Sequence, residues 1–565
     1  MEISGSALFV KALKEEGVDT VFAYPGGNNT DLLDELYKNP DIRVILPRHE
    51  QALIHEAEGY AQVSGKPGVC LVTSGPGATN TVTGIADSHY DSVPLVVFTG
   101  QVSRPLIGND AFQEVDIIGM TRQIVKFGST VREREKLAER IKMAFHIANT
   151  GKKGPVILDI PKDVQTEMGP SDYPKEIHMR SYRPPEGVHV GQLKKAFSLL
   201  QSAKMPLILS GHGVMMSGAE DILKAFAETM KIPVVTTILG NGAIPVGSPS
   251  FVGNAGMHGR FAANMAITHC DVLFSIGTRF NDRITGELSD FAKNAKIIHV
   301  DVDTASISRN VAVDIPVVAD AKTALEKLLE WAKEPEGDSL KELSDWRNTI
   351  DSWEKEHPLS LSVNEGVDPK KIMEGIDEVF PDCIVTLDVG QHQMWATQFL
   401  PVKRERPVIS SGGLGTMGFG FPAAIGAKAA CPEKKVLAIT GDGGFQMNMQ
   451  EMATAVASRL PVTVIILNNG YLGMVRQMQE LFYEKRYEAT CLTDDNGRYI
   501  PDFIKWAQSY GVSAIRVEDG SDIKGALQKA RDSKETMVIE FMIPSEINVL
   551  PMVKSGTPID QMILE

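Results

Sequence analysis

Residues 435–473 read KVLAITGDGGFQMNMQEMATAVASRLPVTVIILNNGYLG, and two pieces of this stretch, GDGGFQMN (441–448) and LNNGYLG (467–473), decide how the chain is read. An apolar run, VLAIT, ends at Gly441, which lets the backbone turn tightly at the end of a buried strand. Asp442 then carries a carboxylate to the edge where open α/β sheets hold ligands. Asn469 lies 27 residues further on, at the end of the next apolar run, so both side chains are expected at one sheet edge. A carboxylate, an amide oxygen and a backbone carbonyl, here that of Tyr471, combine with diphosphate oxygens into the all-oxygen octahedron that Mg²⁺ takes. N–H groups around Gly443 and Gly444, where a helix begins, suit the diphosphate itself. An acidic turn and an unrelated Asn-Asn-Gly turn would explain the two pieces separately. Their spacing, the strand before each and the Asn doublet favour one joint site.

Working outward, the same pattern recurs near the N-terminus. VCLVTSGPGATN (69–80) followed by VPLVVFTG (93–100) is echoed by VLAITGDGGFQMN followed by LPVTVIILNN (460–469). Gly75 to Pro94 spans 19 residues and Gly441 to Pro461 spans 20. Strand-turn-helix units are common, so the echo alone is only suggestive. Further apolar runs, VDTVFAY (18–24), IRVILP (42–47) and PVILDIP (155–161), alternate with helical patterns, which argues for a parallel sheet covered on both faces. The expected organisation is a first module at 1–165, a polar, Pro-rich linker at 166–188 and a second α/β set at 189–335. A charged helical linker at 336–365, a third set at 366–545 and a tail at 546–565 follow. The fold class is therefore α/β, with three doubly wound parallel-sheet domains, the first and third related.

A chain of 565 residues needs several cores. Its net charge of −15 argues against a general nucleic-acid or anionic-membrane surface, since those need basic patches. The five cysteines, Cys70, Cys270, Cys383, Cys431 and Cys491, contain no C-x-x-C pair, so neither a zinc site nor a disulfide framework is expected. The opening stretch reads as an amphipathic helix without the apolar core of a secretion signal or the Arg/Ser bias of a transit peptide. No apolar run approaches the ~20 residues that span a bilayer, and a cytoplasmic location is expected.

The Gly-Asp-Gly…Asn-Asn pattern resembles that of thiamine-diphosphate enzymes. The rest of the chain resembles the catalytic subunit of acetohydroxyacid (acetolactate) synthase almost end to end: AYPGG (23–27), LPRHEQ (46–51), TSGPGATN (73–80), IGNDAFQE (107–114), GMHG (256–259), RFNDRITG (279–286), VGQHQMW (389–395) and NVLPM (548–552). The resemblance implies decarboxylation of pyruvate on thiamine diphosphate and transfer of the hydroxyethyl unit to a second 2-keto acid, pyruvate or 2-ketobutyrate. That is the first common step of branched-chain amino acid biosynthesis. It makes Glu50 the carboxyl that hydrogen-bonds the aminopyrimidine ring and drives proton removal from the thiazolium carbon. Read alone, a Glu there is simply favoured by the helix dipole.

The resemblance assigns Pro25, Gly26, Gly27, Gln391, His392, Gly415, Met417, Gly441 and Met474 to the thiamine cofactor, with Met417 as the apolar wedge beneath it. Arg283 grips the carboxylate of the second keto acid, for which a guanidinium fork is suited. Lys162, Phe112 and Gln113 line the entrance. A structural rather than redox FAD is implied at Gly211, Gly213, Thr237, Leu239, Met257, His258, Gly277, Arg279, Asp301 and Asp320. In relatives Glu50 of one subunit faces Asp442 of another, so a homodimer is the minimum working unit. A tetramer, and a separate regulatory subunit, stay open.

Three positions depart from the family pattern. Met478 stands where relatives carry a Trp that shapes the acceptor pocket and favours 2-ketobutyrate. A flexible thioether fills that space less rigidly. Lys152 stands where relatives often carry an FAD-contacting Arg, and keeps the charge without the fork. Ser103 replaces a common Pro. Three other readings stay open at this point: a catabolic, FAD-independent acetolactate synthase, a pyruvate oxidase, and a catalytically silent subunit on the same fold.

Overall fold

The apolar runs become inner strands of three six-stranded sheets, except IRVILP, which becomes an edge strand of the first. The computed structural model describes residues 2–334, 343–361, 363, 365–404 and 407–565. In spatial order the first sheet is Arg43–Ile45, Thr20–Ala23, Gly68–Val72, Leu95–Gln101, Pro155–Pro161 and Phe127–Thr130, parallel throughout. The third is Val408–Ser410, Ile384–Leu387, Val436–Gly441, Thr463–Asn468, Met537–Met542 and Ser513–Val517. Counting strands along the chain within each sheet, both have the order 2-1-3-4-6-5. The central sheet, Phe251–Asn254, Val234–Thr236, Pro206–Ser210, Val272–Ile276, Lys296–Asp301 and Ile315–Val318, runs 3-2-1-4-5-6. The first and third modules thus share a topology and the second does not.

The chain gathers into two units. One holds the first and third sheets (Met1–Arg183, Asp382–Gln393 and Ile409–Ser545); the other holds the central sheet (Pro184–Pro381, Met394–Val408 and Glu546–Glu565).

In the first unit, helices Glu50–Ser64 and Gly420–Ala430 pack against each other within one apolar cluster that includes Leu53, Ala57, Phe419 and Ala427. His49 caps the first of them, its Nδ1 accepting from the Gln51 N–H at 3.1 Å, and Gly65 ends it at φ 71°. Small residues set the closeness of the crossing: a Cβ on Gly426 would lie 1.7 Å from the Glu56 carbonyl oxygen, and one on Gly59 2.0 Å from that of Ala423. Backbone cannot move aside as a side-chain tip can. Gly426→Ala is therefore expected to destabilise this unit by about 1–3 kcal/mol or more, read as a lower denaturation midpoint.

In the second unit, the expected linker at 336–365 and the expected tail at 546–565 both contain packed structure. Helix Ser344–Glu356 lies inside the expected 336–365 linker, yet buries Trp346 and Ile350 in the core, and Trp346 Nε1 donates to the Pro206 carbonyl at 3.0 Å. The final residues pair Met552–Val553 with Met562–Ile563, and Ile559 joins the same core. In helix Ser344–Glu356 a few apolar side chains inside a polar segment find cover that the local pattern does not announce. Among the described residues no helix is long and apolar enough to cross a membrane.

Candidate active site

Open α/β sheets bind ligands beyond the carboxyl ends of their strands, where the strand order reverses. In the third sheet that point lies between Ile384–Leu387 and Val436–Gly441, and it brings residues 388–392 to residues 441–444. The His392 ring lies against Gly441, where a Cβ would come within 2.9 Å of Nδ1. Burial pushes His392 down to about 3, so the ring is neutral, and its buried Nε2 has no partner. Asp442 is buried, which pushes its carboxyl up to about 7 against the opposing pull of backbone N–H groups of Asp442, Asn469, Gly470 and Gly443.

The Asn doublet divides its work. Asn468 is spent on the turn: its amide donates to Glu540 Oε1 at 2.8 Å and its oxygen accepts from the Gly470 N–H at 3.0 Å. Asn469 faces the cradle, donating to Gln391 Oε1 at 3.1 Å, while its Oδ1 accepts from the Tyr471 N–H at 3.0 Å. Gln391 in turn donates to Gln477 at 3.0 Å, and a Cβ on Gly473 would meet Gln391 Oε1 at 2.1 Å. A buried carboxylate, an amide oxygen and an unpartnered imidazole nitrogen around glycines form a donor set that fits a hard cation and a diphosphate.

Met417 reaches the same place: a Cβ on Gly443 would stand 2.6 Å from Leu472 and 3.7 Å from the Met417 methyl. Met474 and Met478, half-buried, lie one turn apart on helix Gly473–Phe482 and so share a face. Sequence reasoning passed over Asp388. Its buried carboxylate accepts from the Gly418 and Gly420 N–H groups at 3.0 and 2.9 Å, holding the far side of the turn that carries Gly415 and Met417. Its signal was an acid directly after the apolar strand CIVTL.

The first sheet presents an equivalent point, where Thr20–Ala23 and Gly68–Val72 adjoin. There Gly26 approaches Thr73 so closely that a Cβ would lie 2.4 Å from the Thr methyl. Asn29, also unflagged, holds the Pro25-Gly26-Gly27 turn by accepting from the Gly26 N–H at 2.8 Å and donating to the Tyr24 carbonyl at 2.9 Å. Lys162 donates to the Gly27 carbonyl at 2.9 Å and pairs with Asp31 at 2.7 Å. Glu50 opens helix Glu50–Ser64, 9% exposed, and accepts from the Asn80 amide at 2.9 Å. Gln113 sits at φ 60° against Gly75, while neighbouring Phe112 is 87% exposed.

In the second unit, the order reverses between Pro206–Ser210 and Val272–Ile276. Gly211 and Gly213 both close on Gly277, at φ 64°, with Cβ distances of 2.2 Å to its carbonyl oxygen and 2.6 Å to its Cα. Thr237 caps the turn Ile238–Gly240 that carries Leu239, and the buried Ser210 Oγ lacks a partner. The GMHG loop is braced by the NVLPM segment: His258 bonds the Pro551 carbonyl at 3.1 Å, and the Val553 N–H donates to the Met257 carbonyl at 2.8 Å. His258 Nε2 is buried without a partner, and burial pushes the ring down to about 4. Arg283 lies beside this loop, its Nη1 3.5 Å from Met257 Sδ and its side chain 55% exposed.

Two flavin assignments sit differently. Asp320 is the N-cap of helix Ala321–Lys333, with Oδ1 accepting from Lys322 and Thr323 N–H groups. Lys152 follows helix Leu137–Asn149 in the first unit. Asp301 ends its strand, accepting from the Asp303 N–H at 2.8 Å, and Arg279 follows Gly277 on the neighbouring strand end.

Three family profiles match the chain in order. They are described as thiamine pyrophosphate enzyme, N-terminal TPP binding domain (residues 3–120), central domain (193–328) and C-terminal TPP binding domain (388–541). Fold and site together are therefore those of a thiamine-pyrophosphate (thiamine-diphosphate) enzyme. The chain is 44% identical to a probable acetolactate synthase large subunit of Methanococcus aeolicus, over 99% of this chain and 95% of that one. It is 43% identical to the acetolactate synthase large subunit of Corynebacterium glutamicum (98% and 89%), and 41% identical to the acetolactate synthase isozyme 3 large subunit of Escherichia coli (100% and 98%). The chain belongs to the acetolactate synthase large-subunit family.

Proposed function

We propose that the chain is a biosynthetic acetolactate synthase: pyruvate loses CO₂ and its remaining two-carbon unit joins a second 2-keto acid. The observation that carries this reading is Asp442 beside Asn469 at the reversal point of the third sheet, under a loop bearing Met417. Thiamine diphosphate, when bound, supplies the electron sink for the decarboxylation. Asp442, Asn469 and the Tyr471 carbonyl would hold Mg²⁺, with Gln391, His392, Gly443 and Gly444 about the diphosphate. Gly415, Met417 and Met474 would hold the body of the cofactor, and Pro25, Gly26, Gly27 and Glu50 its aminopyrimidine. Glu50, buried and hydrogen-bonded by Asn80, is the residue able to hold and return a proton there. Arg283, exposed beside Met257 and 3.8 Å from Asp282, would take a carboxylate of the substrate. Lys162, Phe112, Gln113 and Met478 belong to the same reading as residues that receive substrate.

The glycine-lined reversal point of the central sheet, with its strand order of the dinucleotide-binding type, supports FAD as a structural group held near Gly211, Gly213, Gly277 and His258. The domain division at 1–165, 189–335 and 366–545 belongs to the same reading. So do a homodimer that brings Glu50 of one chain to Asp442 of another, and a cytoplasmic location in keeping with five cysteines, none in a disulfide. The large-subunit names of the relatives favour a smaller partner chain, which co-purification from the source would detect.

Product analysis tests the reading. Purified protein given pyruvate, thiamine diphosphate, Mg²⁺ and FAD is expected to form acetolactate, and 2-aceto-2-hydroxybutyrate when 2-ketobutyrate is added. Acetolactate alone would favour a catabolic role; no acetolactate under any combination would sink the proposal. In the same competition assay Met478→Trp is expected to raise the preference for 2-ketobutyrate over pyruvate on the order of tenfold, the scale of one methylene in a shaped pocket.

A further inference from the structure

The loop that leads into Gly415 and Met417 is held by two acids of the first module, Asp87 and Asp91, which no local pattern connects to it. Both lie on helix Val82–Asp91 and both are buried. Asp91 receives two consecutive backbone donors, the Gly412 N–H at 2.9 Å on Oδ2 and the Gly413 N–H at 2.6 Å on Oδ1. Ser411 Oγ accepts from the Gly415 N–H at 3.1 Å and the Thr416 N–H at 2.9 Å. A hydroxyl has two lone pairs and one proton. With both lone pairs taken, its proton has one direction left, and it is donated to Asp87 Oδ1 at 2.5 Å.

Asp87 is itself braced. Its Oδ2 lies 3.8 Å from His55 Nδ1, which is hydrogen-bonded to Glu58 Oε2 at 2.7 Å. These three residues bring ligand atoms within 4.8 Å of one another, but the short His55–Glu58 contact already uses the nitrogen that a cation would need, so the group is a hydrogen-bonded brace. The segment 411–420 is thus gripped at its near end by Asp87 and Asp91 and at its far end by Asp388. Gly415, at φ 75°, and Met417 lie between the two grips.

We infer that Asp87 and Asp91 are positioning residues for thiamine diphosphate, acting through Ser411, Gly412 and Gly413 on the loop that carries Gly415 and Met417. The inference rests on the reading of Met417 as a cofactor contact. The two acids touch no cofactor atom; they set the loop's shape before the cofactor arrives, so their loss is felt first in cofactor affinity.

The test is titration of the full-length protein with thiamine diphosphate at saturating Mg²⁺, followed by intrinsic fluorescence, with thermal melts of the cofactor-free protein alongside. Ser411→Ala removes the hydroxyl relay, and Asp91→Asn leaves one of two N–H groups facing an amide NH₂. Each is expected to raise the cofactor Kd roughly ten- to a hundredfold. Asp87→Ala is expected to match Ser411→Ala, and the double variant to be no worse than either, because both break one chain of bonds. Asp87→Asn keeps an acceptor for the Ser411 proton and is expected to restore most of the affinity lost in Asp87→Ala. A Kd within about twofold of the parent in both Ser411→Ala and Asp91→Asn overturns the inference, as does simple additivity in the double variant. A parent protein that binds no thiamine diphosphate would instead overturn the functional reading beneath it.

Discussion

Glu50→Gln is expected to lower kcat by about 10²–10⁴-fold, the usual contribution of a positioned general acid-base group, with thiamine diphosphate affinity changed far less. Glutamine has the same length and shape, and its carbonyl oxygen can still accept from the Asn80 amide that holds the native carboxylate at 2.9 Å. It can neither take up nor return a proton. Gly77 leaves room at this spot, where a Cβ would stand 3.4 Å from Glu50 Oε1, so the substitution adds no steric demand. Steady-state acetolactate formation beside a cofactor titration separates the two quantities. A kcat within about tenfold of the parent would remove Glu50 from the proton-transfer role.

Asp442→Asn is expected to weaken Mg²⁺-dependent cofactor binding by at least about a hundredfold, since losing even an outer partner of a metal ligand typically loses about 10–100-fold. The sign of the accompanying pH effect follows from the carboxyl standing at about 7 in the metal-free fold because it is buried. A carboxyl raised in the folded state favours the protonated protein. Its contribution to stability is complete below the ordinary Asp range, near pH ~3.9, and is lost as pH rises through about 7. Mg²⁺ needs the anion, so its affinity climbs over the same interval. Thermal melts between pH 5 and 8, with and without Mg²⁺ and cofactor, should show cofactor-free stability falling with pH and the ligand-induced gain rising. The Asn variant should show neither slope. A variant that kept full Mg²⁺-dependent cofactor binding would exclude Asp442 as the ligand.

Much of the site was legible because its chemistry sits in short runs. Gly441, Asp442 and Asn469 are marked by apolar strands that end on them, and the structure brings Asn469 to Gln391 and His392 to Gly441. Glu50 was different: only the matched RHEQ context distinguishes it from an ordinary first-turn acid. Residues that hold others in place left weaker traces. Asn80 holds Glu50, Asn29 holds the Pro-Gly-Gly turn, and Asp388 holds the Met417 loop, each by one or two bonds of a kind that polar residues in turns commonly make.

By itself the sequence determined the inner strands, such as Leu95–Gln101 and Thr463–Asn468, and the glycine turns at their ends. Burial on both faces demands an uninterrupted apolar run, and a tight turn demands a missing side chain, so both requirements are written locally. Only the tertiary structure decided the edge strands Phe127–Thr130, Phe251–Asn254 and Ser513–Val517, which are short and half-covered and carry no such run. It also decided the orders 2-1-3-4-6-5 and 3-2-1-4-5-6, and hence where each sheet opens for a ligand. Most of all it decided the pairing of Asp87 with Ser411, 324 residues apart. A sequence states which residues are apolar or able to hydrogen-bond; which of them become neighbours is settled when the sheets and helices pack.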